Sequence, residues 1–315
     1  MEYTAVIRTL GKAGEKYQCL LDSLVNQTIK PSRIIVYIAE GYPIPKETVG
    51  VEEYVYVKKG MVAQRALEYN EVSTKYILFL DDDVYLPRKA VETMFDALIT
   101  YNADVISPDV FHNSKRPILN RIIMTLSGRM RSRKDDRKWA YKVMRTAGYS
   151  YNVHPSKDVY LSQTNAGPCF FCSKNAFISI SFGDEVWLDR HEYALGEDQI
   201  MFYKMHLNGL KQLTIFNSGI EHLDAGMNRK PEKEKKMIRA DFFFKTIFWH
   251  RFIYSPEKTP IMRIYDCICI GYAFCFSIIS SIVKCRFDIL KIKYSAIKDG
   301  ITFIKSEEYR NLPII

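Results

Sequence analysis

The first 110 residues alternate short apolar or β-branched runs with segments of helical periodicity, and this alternation restricts the possible folds of the 315-residue chain more than any other feature. Residues 4–9, 33–39 and 76–80 are predicted strands, and the last two are continuous apolar runs, as expected of buried parallel strands. Between the first two, Leu20 and Leu24 recur at helical spacing. Alternating strands and helices form βαβ units. We therefore predict an α/β fold with a mainly parallel central sheet flanked by helices.

The same reasoning predicts the remaining elements. Further strands are expected at 53–57, 104–107 and 213–216, with an apolar strand-like run at 162–173. Further helices are expected at 61–69 (entered from Gly60), 88–100 and 196–208, the last ending before Gly209. Residues 115–157 interrupt the alternation, and we interpret them as a basic insertion or flexible lobe with weak helical periodicity near 117–126. This gives a domain over 1–227 and a helical C-terminal region over 228–315.

The positive charge of the chain is confined to two segments. The net charge is +9, from 45 Lys and Arg against 36 Asp and Glu. Residues 1–114 and 146–227 each carry −4, whereas 115–145 carries +9 and 228–315 carries +8. A content of 47% hydrophobic residues excludes a disordered chain. We interpret the two basic segments as surfaces for anionic lipid headgroups or a phosphate-bearing acceptor rather than as a nucleic-acid footprint.

The seven cysteines are odd in number and give no disulfide framework. Cys267, Cys269 and Cys275 lie among apolar residues, which favours a reducing compartment. Cys169 and Cys172 form a lone C-x-x-C motif, and no second ligand pair at zinc spacing accompanies it, so we predict buried structural thiols. The N-terminal residues show no basic segment followed by an apolar one, so no cleaved secretory signal is expected.

Three aspartates, Asp81, Asp82 and Asp83, follow the strongest predicted strand directly. Open α/β sheets bind ligands at the carboxyl ends of their strands, so this triplet lies where a substrate is expected. Asp81 and Asp83 can present oxygens to one side of a turn, which suits Mg²⁺ or Mn²⁺ held jointly with substrate phosphates. The alternative is a solvated acidic loop, and the position of the triplet favours the metal site.

Two further positions have a functional and a structural interpretation. Glu197 and Asp198 open a predicted helix, where acidic residues stabilise the first turn by roughly 0.3–1 kcal/mol. Asp198 is equally suited to take a proton from an acceptor hydroxyl, which contributes roughly 10²–10⁴ in rate. His222 follows a strand and is either a core histidine or a metal ligand.

Seven motifs in order resemble the family 2 glycosyltransferases, which have the GT-A fold. They are AVIRT, SLVNQTIKPSRIIVYI, KKGMVAQRALEY, KYILFLDDDVYLPRKAV, GPCFFCSKNAF, LGEDQIMFYKMHLNGLK and IEHLD, and they cover roughly residues 3–225. The resemblance implies a nucleotide-diphospho-sugar donor, a divalent cation (Mn²⁺ or Mg²⁺) and inverting transfer of a sugar to the hydroxyl of a saccharide or lipid-linked acceptor. It places the enzyme in the synthesis of cell-surface polysaccharide or lipid-linked oligosaccharide.

The resemblance also implies roles for individual residues. The aspartate triplet is similar to the family's D-x-D element, so Asp83 would contact the metal and Asp81 or Asp82 the donor's ribose or sugar, with Asp81 a second candidate metal ligand. Glu197 and Asp198 are similar to the family's E-D pair, with Asp198 as the base. His222 matches a histidine that some members use near the diphosphate or metal. Thr9 and Arg65 fall where the family contacts the nucleotide.

The chain departs from the family at three points. Ala39-Glu40-Gly41-Tyr42 replaces the usual Asp-Asp-Gly-Ser, so Glu40 is the candidate substitute for the aspartate that reads the base. Ala66 stands where the family has asparagine. The Gln-x-x-Arg-Trp signature of processive polymer synthases is missing, which favours addition of a single sugar.

The C-terminal region contains an uncharged stretch at 267–283, flanked by Asp266 and by Lys284 and Arg286. Seventeen residues is about the lower limit for spanning a bilayer. Apolar residues downstream, between Ile289 and Ile304, follow the spacing of an interfacial helix. These helices have three possible roles. They pack on the catalytic domain, or they attach the chain to the cytoplasmic face of a membrane as a peripheral or re-entrant segment. A helix that spans the membrane is the less favoured third alternative.

Two other function classes compete with the glycosyltransferase. A nucleotidyltransferase acting on a sugar phosphate shares the need for a metal and a nucleotide, but only Gly11 and Gly14 hint at a phosphate loop near the first strand. A nucleic-acid-binding protein could use 115–145 with Trp139 and Tyr141. No nucleic-acid motif accompanies that segment.

Overall fold

A computed structural model describes residues 2–110, 117–127, 137–224 and 231–313. Its strands are β1 (Tyr3–Thr9), β2 (Arg33–Ala39), β3 (Glu52–Val57), β4 (Tyr76–Asp81), β5 (Val84–Tyr85), β6 (Val105–Pro108), β7 (Tyr141–Val143), β8 (Tyr149–Tyr151), β9 (Val159–Ser162), β10 (Cys169–Ser173), β11 (Gln212–Ile215) and β12 (Glu221–His222). Its helices are α1 (Glu15–Val25), α2 (Ala90–Thr100), α3 (Ile118–Leu126), α4 (Lys174–Ile178), α5 (Glu197–Leu207), α6 (Pro231–Phe248), α7 (Pro260–Val283), α8 (Phe287–Ile304) and α9 (Glu307–Arg310). Two 3₁₀ segments, Phe182–Arg190 and Glu192–Ala194, precede α5, and a π-helical turn, Trp249–Tyr254, follows α6.

Eight strands form one sheet in the order β3-β2-β1-β4-β10-β6-β11-β9. Strands β1 to β4 pair in parallel, and so do β6 and β11. Strand β10 runs antiparallel between β4 and β6, and β9 is an antiparallel edge strand. The mainly parallel sheet predicted from the sequence is therefore confirmed. Strand β4 lies near the middle, so its carboxyl end opens at the centre of the sheet edge.

Helices cover both faces of the sheet, which explains why β2 and β4 are apolar without interruption. On one face, Ile7 and Leu80 pack with α1 and α2. On the other, Val6 and Phe79 pack with α5, α6 and α8. Successive residues of a strand point to opposite faces, so both positions must be apolar. The C-terminal helices thereby share a core with the sheet.

The segment 61–69 is not the helix that its sequence predicts but a series of turns. The carboxylate of Asp189 accepts hydrogen bonds from the amides of Val62 (3.0 Å) and Ala63 (2.8 Å). Side chains from the same segment reach buried polar groups, as Arg65 does with Glu197. These contacts with residues more than 120 positions away outweigh the local helical preference.

The described part of the insertion is ordered. Helix α3 confirms the weak periodicity near 117–126, and β7 and β8 form an antiparallel hairpin. Met124 of α3 packs with Tyr141 and Tyr151 of the hairpin in a small core. Six of the eleven basic residues of 115–145 lie outside the described residues: Lys115, Arg116, Arg129, Arg131, Arg133 and Lys134.

Helix α7 extends the uncharged stretch 267–283 toward its N-terminus, beginning at Pro260. Among the described residues it alone has the length and hydropathy needed to cross a membrane, and 17% of its most apolar window is buried. Asp266, inside the helix, is fully buried and paired with Arg145. Phe274 packs against Phe242 of α6. One side of α7 therefore packs on the rest of the protein, and the other carries exposed apolar side chains.

Candidate active site

Strand pairing brings a buried arginine beside the aspartate triplet. In the parallel register of β1 and β4, Arg8 lies opposite Asp81. Arg8 donates to both oxygens of that carboxylate, from Nε at 2.5 Å and from Nη2 at 3.1 Å. Its Nη1 donates to Glu197 Oε1 at 3.1 Å and to the carbonyl oxygen of Met61 at 2.9 Å. Arg8 thus connects the end of β4 with the start of α5.

A second buried arginine, Arg65, contacts the same carboxylates from the other side. Its Nη1 lies 2.9 Å from both oxygens of Glu197 and 2.5 Å from Asp198 Oδ1. Its Nη2 lies 3.3 Å from Asp81 Oδ1 and donates to the Gly167 carbonyl at 3.0 Å. Two guanidinium groups and three carboxylates therefore form one buried ion cluster, which we call the arginine cluster: Arg8, Arg65, Asp81, Glu197 and Asp198.

The carboxyls of this cluster differ in how readily they ionise. Burial alone would raise the pKa of Asp81, but Arg8 and Arg65 outweigh it and hold that pKa below its ordinary value. Burial raises the pKa of Glu197 to about 8, against the opposing influence of Arg65 and Arg8. Glu197 is almost fully buried and lines neither of the cavities described below. Glu197 therefore anchors the two arginines.

A cavity of about 350 Å³ opens at the carboxyl end of β4, and we call it the triplet cavity. Five residues predicted from the sequence line it: Thr9, Asp81, Asp82, Asp83 and His222. The Thr9 hydroxyl donates to Asp82. Burial and the neighbouring Asp81 and Asp83 raise the pKa of Asp82 to about 6, although the Thr9 bond lowers it. The predicted grouping of these side chains at the strand end is thus observed.

Asp83 and His222 are potential metal ligands that lie next to each other. The short pairing of β5 with β12 brings them together, with His222 Nε2 3.0 Å from Asp83 Oδ2. Burial favours the neutral ring, but the hydrogen bond and charge of Asp83 outweigh it and raise the pKa of His222. The third predicted ligand, Asp81, is bound by the two arginines instead. Within the described ranges, no group of three or more His, Cys, Asp or Glu side chains is arranged to hold a metal.

Asp198 faces a different cavity, of about 440 Å³, which we call the base cavity. One Asp198 oxygen is held by Arg65, and the other accepts from the Gly167 amide at 3.0 Å. A Cβ at Gly167 would overlap both Asp198 and Arg65, so only glycine allows this approach. The side chain of Asp198 is 34% exposed. It is therefore fixed in orientation yet open to a reactant.

Two predicted nucleotide contacts are placed differently from the others. Glu40 is exposed just after β2 and lines neither the triplet cavity nor the base cavity. Arg65 is 3% exposed, and its guanidinium donates to the carboxylates of the arginine cluster and to the carbonyl of Gly167. The Lys12 Nζ atom lies 4.7 Å from the ring centre of Tyr42, and Lys12 lines the triplet cavity. Tyr42 is the last residue of the Ala-Glu-Gly-Tyr sequence that differs from the family.

Sequence reasoning missed Arg8, Lys12, Gln64 and Asp224, all of which line the triplet cavity. One signal was available for Arg8. It interrupts an otherwise apolar strand, and a buried arginine must have carboxylate partners. For the other three no local signal exists. The Gln64 side chain, for example, donates to the carbonyl of Thr9 at 3.1 Å, a contact set by the turns at 61–69.

The two cysteines of the C-x-x-C motif agree with their prediction. Cys169 and Cys172 are free and buried in β10, and burial raises both thiol pKa values far above their ordinary range. They are structural thiols, as predicted. Cys267 and Cys275, in contrast, are exposed on α7 despite their apolar neighbours.

Comparisons with known proteins show the fold of the chain. No protein-family model matches it, and no curated protein matches it in sequence. A solved structure, "Crystal structure of GalNAc-T7 with UDP, GalNAc and Mn2+", matches 88% of the chain with a TM-score of 0.50 and 12% identity. The chain spans only about half of that protein, 55% of its length. The predicted GT-A-like fold is thereby confirmed, and membership of family 2 remains a prediction.

Proposed function

We propose that the protein is a metal-dependent glycosyltransferase that moves one sugar from a nucleotide-diphospho-sugar to an acceptor hydroxyl with inversion. One observation carries the proposal. The arginine cluster joins a cavity lined by three aspartates and a histidine to a second cavity that exposes one oriented carboxylate, Asp198. Asp81 on the wall of the first cavity and Asp198 on the wall of the second are both bonded to Arg65. The fold, which is shared with a transferase solved with UDP and Mn²⁺, and the seven family 2 motifs support the same function.

The triplet cavity suits the donor. Asp83 and His222 would hold the divalent cation, Mn²⁺ or Mg²⁺, with diphosphate oxygens as further ligands, since an imidazole and a carboxylate suit such ions. When bound, the cation neutralises charge on the leaving diphosphate. Thr9, Asp82 and Lys12 lie on the same wall, where they would contact the ribose, the sugar or a phosphate.

Asp198 suits the base. Its carboxylate takes the proton of the acceptor hydroxyl while the hydroxyl oxygen bonds to the anomeric carbon and the bond from that carbon to the diphosphate oxygen breaks. A single displacement of this kind inverts the anomeric configuration. Arg65 and the Gly167 amide keep the carboxylate in one orientation throughout, and such preorganisation lowers the barrier.

The test is a panel of nucleotide sugars with Mn²⁺ or Mg²⁺, in which release of nucleoside diphosphate and transfer to acceptors are both measured. Asp83→Asn is expected to abolish both. Asp198→Asn is expected to lower transfer by about 10²–10⁴ while donor binding persists. Asp96→Asn, an exposed change on α2, is the control and should match the wild type.

Three outcomes would contradict the proposal. Near-wild-type transfer by the Asp198 variant would exclude it as the base. A product with the donor's own anomeric configuration, seen by NMR, would exclude inversion. Release of inorganic pyrophosphate from a nucleoside triphosphate and a sugar 1-phosphate, with no transfer from any nucleotide sugar, would indicate a nucleotidyltransferase instead.

We also propose that the protein acts at the cytoplasmic face of a membrane, attached through α7 rather than spanning with it, in the synthesis of a cell-surface polysaccharide or lipid-linked oligosaccharide. The outward side of α7 carries exposed Ile268 and Ile279, while its inner side packs on α6 and α8. Lys284 and Arg286 follow its end, where they would meet anionic headgroups. Co-flotation with anionic vesicles at high salt supports attachment, and a protein that stays with the aqueous phase would exclude it.

A further inference from the structure

The base cavity adjoins a third cavity, which is lined by two helices with exposed apolar side chains. This outer cavity measures about 400 Å³ and lies between α3, α6 and α7. It shares three lining residues with the base cavity: Gly148, Asp241 and Lys245. A molecule whose hydroxyl lies at Asp198 can therefore extend past Asp241 and Lys245 toward the space between α3 and α7.

The lining changes character along this route. The inner end holds Asp198 and Asn165, and the Asn165 Nδ2 atom is buried without a hydrogen-bond partner among the described residues. The junction holds the ion pair of Asp241 with Lys245. The outer cavity mixes hydroxyl and amide groups with six apolar side chains, which are Ile123, Met124, Phe242, Ala273, Phe274 and Phe276. The lining residues thus change from polar to charged to largely apolar. This order matches a ligand with a polar head, a polar linkage and an apolar continuation.

Both helices at the outer end present apolar side chains to the outside. Helix α3 exposes five of them at helical spacing: Ile118, Leu119, Ile122, Ile123 and Leu126. Helix α7 exposes Ile264, Ile268, Tyr272 and Ile279, and the Tyr272 hydroxyl donates to the Leu126 carbonyl, so the two faces adjoin. Soluble proteins rarely expose so large a contiguous apolar surface unless it meets a partner or a membrane.

Charge complementarity favours a lipid surface over a protein partner. Lys258 and Arg263 lie near the N-terminal end of α7, and Lys284 follows its C-terminal end, while Arg286 beyond it is paired with Glu234. Basic residues at both ends of an apolar helical face suit anionic headgroups around a buried hydrocarbon contact. The outer cavity would then open toward the bilayer.

We propose that the acceptor is carried on a hydrocarbon chain. The reacting hydroxyl lies at Asp198, the linkage lies at Asp241 and Lys245, and the chain leaves between α3 and α7 into the membrane. This inference rests on the proposed glycosyltransferase and deepens it, because it selects a lipid-linked acceptor over a free saccharide.

The first experiment measures binding without chemistry. The probe is dodecyl glucoside with a diazirine on its chain, and labelled residues are located by mass spectrometry. We expect labels on the lining residues of α3 and α7, with competition by unlabelled dodecyl glucoside but not by methyl glucoside. Ala273→Trp, which fills the outer cavity, should lower this labelling about tenfold, because the buried chain loses its contacts. Ile261→Trp, on the exposed N-terminal turn of the same helix, is the matched control and should label as the wild type does.

Folding is checked by circular dichroism, and Ile123→Trp replaces the Ala273 variant if that one fails to fold. Ile123 lines the cavity from α3 and is 44% exposed, so its neighbours can yield. Labels confined to the outward side of α7 would mean that the probe only adsorbs to the surface. The same would follow if both tryptophan variants were labelled as strongly as the wild type, and either result would overturn the inference.

The second experiment measures transfer with the donor that the nucleotide-sugar panel identifies. An acceptor with a long chain should have a kcat/KM at least about tenfold above that of the same head group without it. Equal use of both acceptors would overturn the inference and leave the glycosyltransferase standing. If the wild type releases no nucleoside diphosphate from any nucleotide sugar, the proposed function fails, and cavity labelling would still report whether a chain-binding pocket exists.

Discussion

The end of the central sheet differs from helices α3 and α7 in which side chains are buried and which are exposed. At the sheet end, two arginines and three carboxylates form an ion cluster that is mostly buried, and each member has a charged partner. On α3 and α7, large apolar side chains are left exposed. Buried charge is tolerated only where partners are held in place, and exposed apolar surface indicates surroundings other than water. The contrast separates the proposed site of chemistry from the proposed membrane contact.

The largest expected effect comes from removing a charge at the sheet end. Arg65→Met leaves Asp81 and Glu197 with one arginine instead of two, and Asp198 with none. We expect a loss of about 3–5 kcal/mol in the free energy of unfolding, measured in urea, because breaking a buried ion network leaves uncompensated charge. Arg33→Ala breaks a largely exposed pair with Glu53 and should cost no more than about 1 kcal/mol. Equal losses in the two variants would contradict the contrast.

A smaller effect is expected from Gly167→Ala, which tests orientation without removing a charge. The new Cβ would overlap Asp198 and Arg65 and displace the carboxylate. Transfer should fall by about 10², since a displacement of about 1 Å at a reacting group has an effect of that size. Gly183→Ala is the control, because a Cβ there meets nothing within 4 Å. Unchanged kcat in the Gly167 variant would show that the amide contact does not position the base.

The exposed apolar face is tested next by Ile268→Ser. If α7 lies in the membrane interface, Ile268 is buried in lipid when the protein is bound. Replacing it by serine should then weaken vesicle binding about tenfold, because that apolar contact is lost. Co-sedimentation with vesicles measures the affinity. The midpoint of urea unfolding should stay unchanged, because Ile268 is exposed in the folded chain. A loss of stability with no loss of vesicle binding would place this side chain in a protein contact.

The smallest effect is expected from Lys284→Gln. One basic residue near an anionic surface contributes about 1 kcal/mol, or roughly fivefold in binding, and the contribution falls with added salt. The Lys284 variant should therefore differ from the wild type at low salt and converge with it at high salt. Vesicles of neutral lipid serve as the control, and a difference that persists on them would exclude the electrostatic explanation.

The parts of the fold that were predictable depend on local pattern. The apolar runs give β2 and β4, the spacing of leucines gives α1, and Gly196 and Gly209 bracket α5. The aspartate triplet could be placed at a substrate site because its strand was recognisable. Arg8 could have been found in the same way, as the single charge in a buried strand.

What was not predictable depends on contacts between distant residues. The turns at 61–69 follow from Asp189, and the engagement of Asp81 by two arginines follows from the β1–β4 register and from Arg65. The sequence alone assigned Asp81 to a metal or a sugar, since it cannot show which carboxylate an arginine already holds. In the same way, the adjacency of the base cavity and the outer cavity depends on how α6 and α7 pack.

Arg65 is bonded at once to Asp81, on the wall of the triplet cavity, and to Asp198, on the wall of the base cavity. A displacement of Asp81 would therefore change the contacts of the guanidinium that also holds Asp198. The two cavities are not independent, because a substitution or a displacement at Arg65 changes a contact on the wall of each.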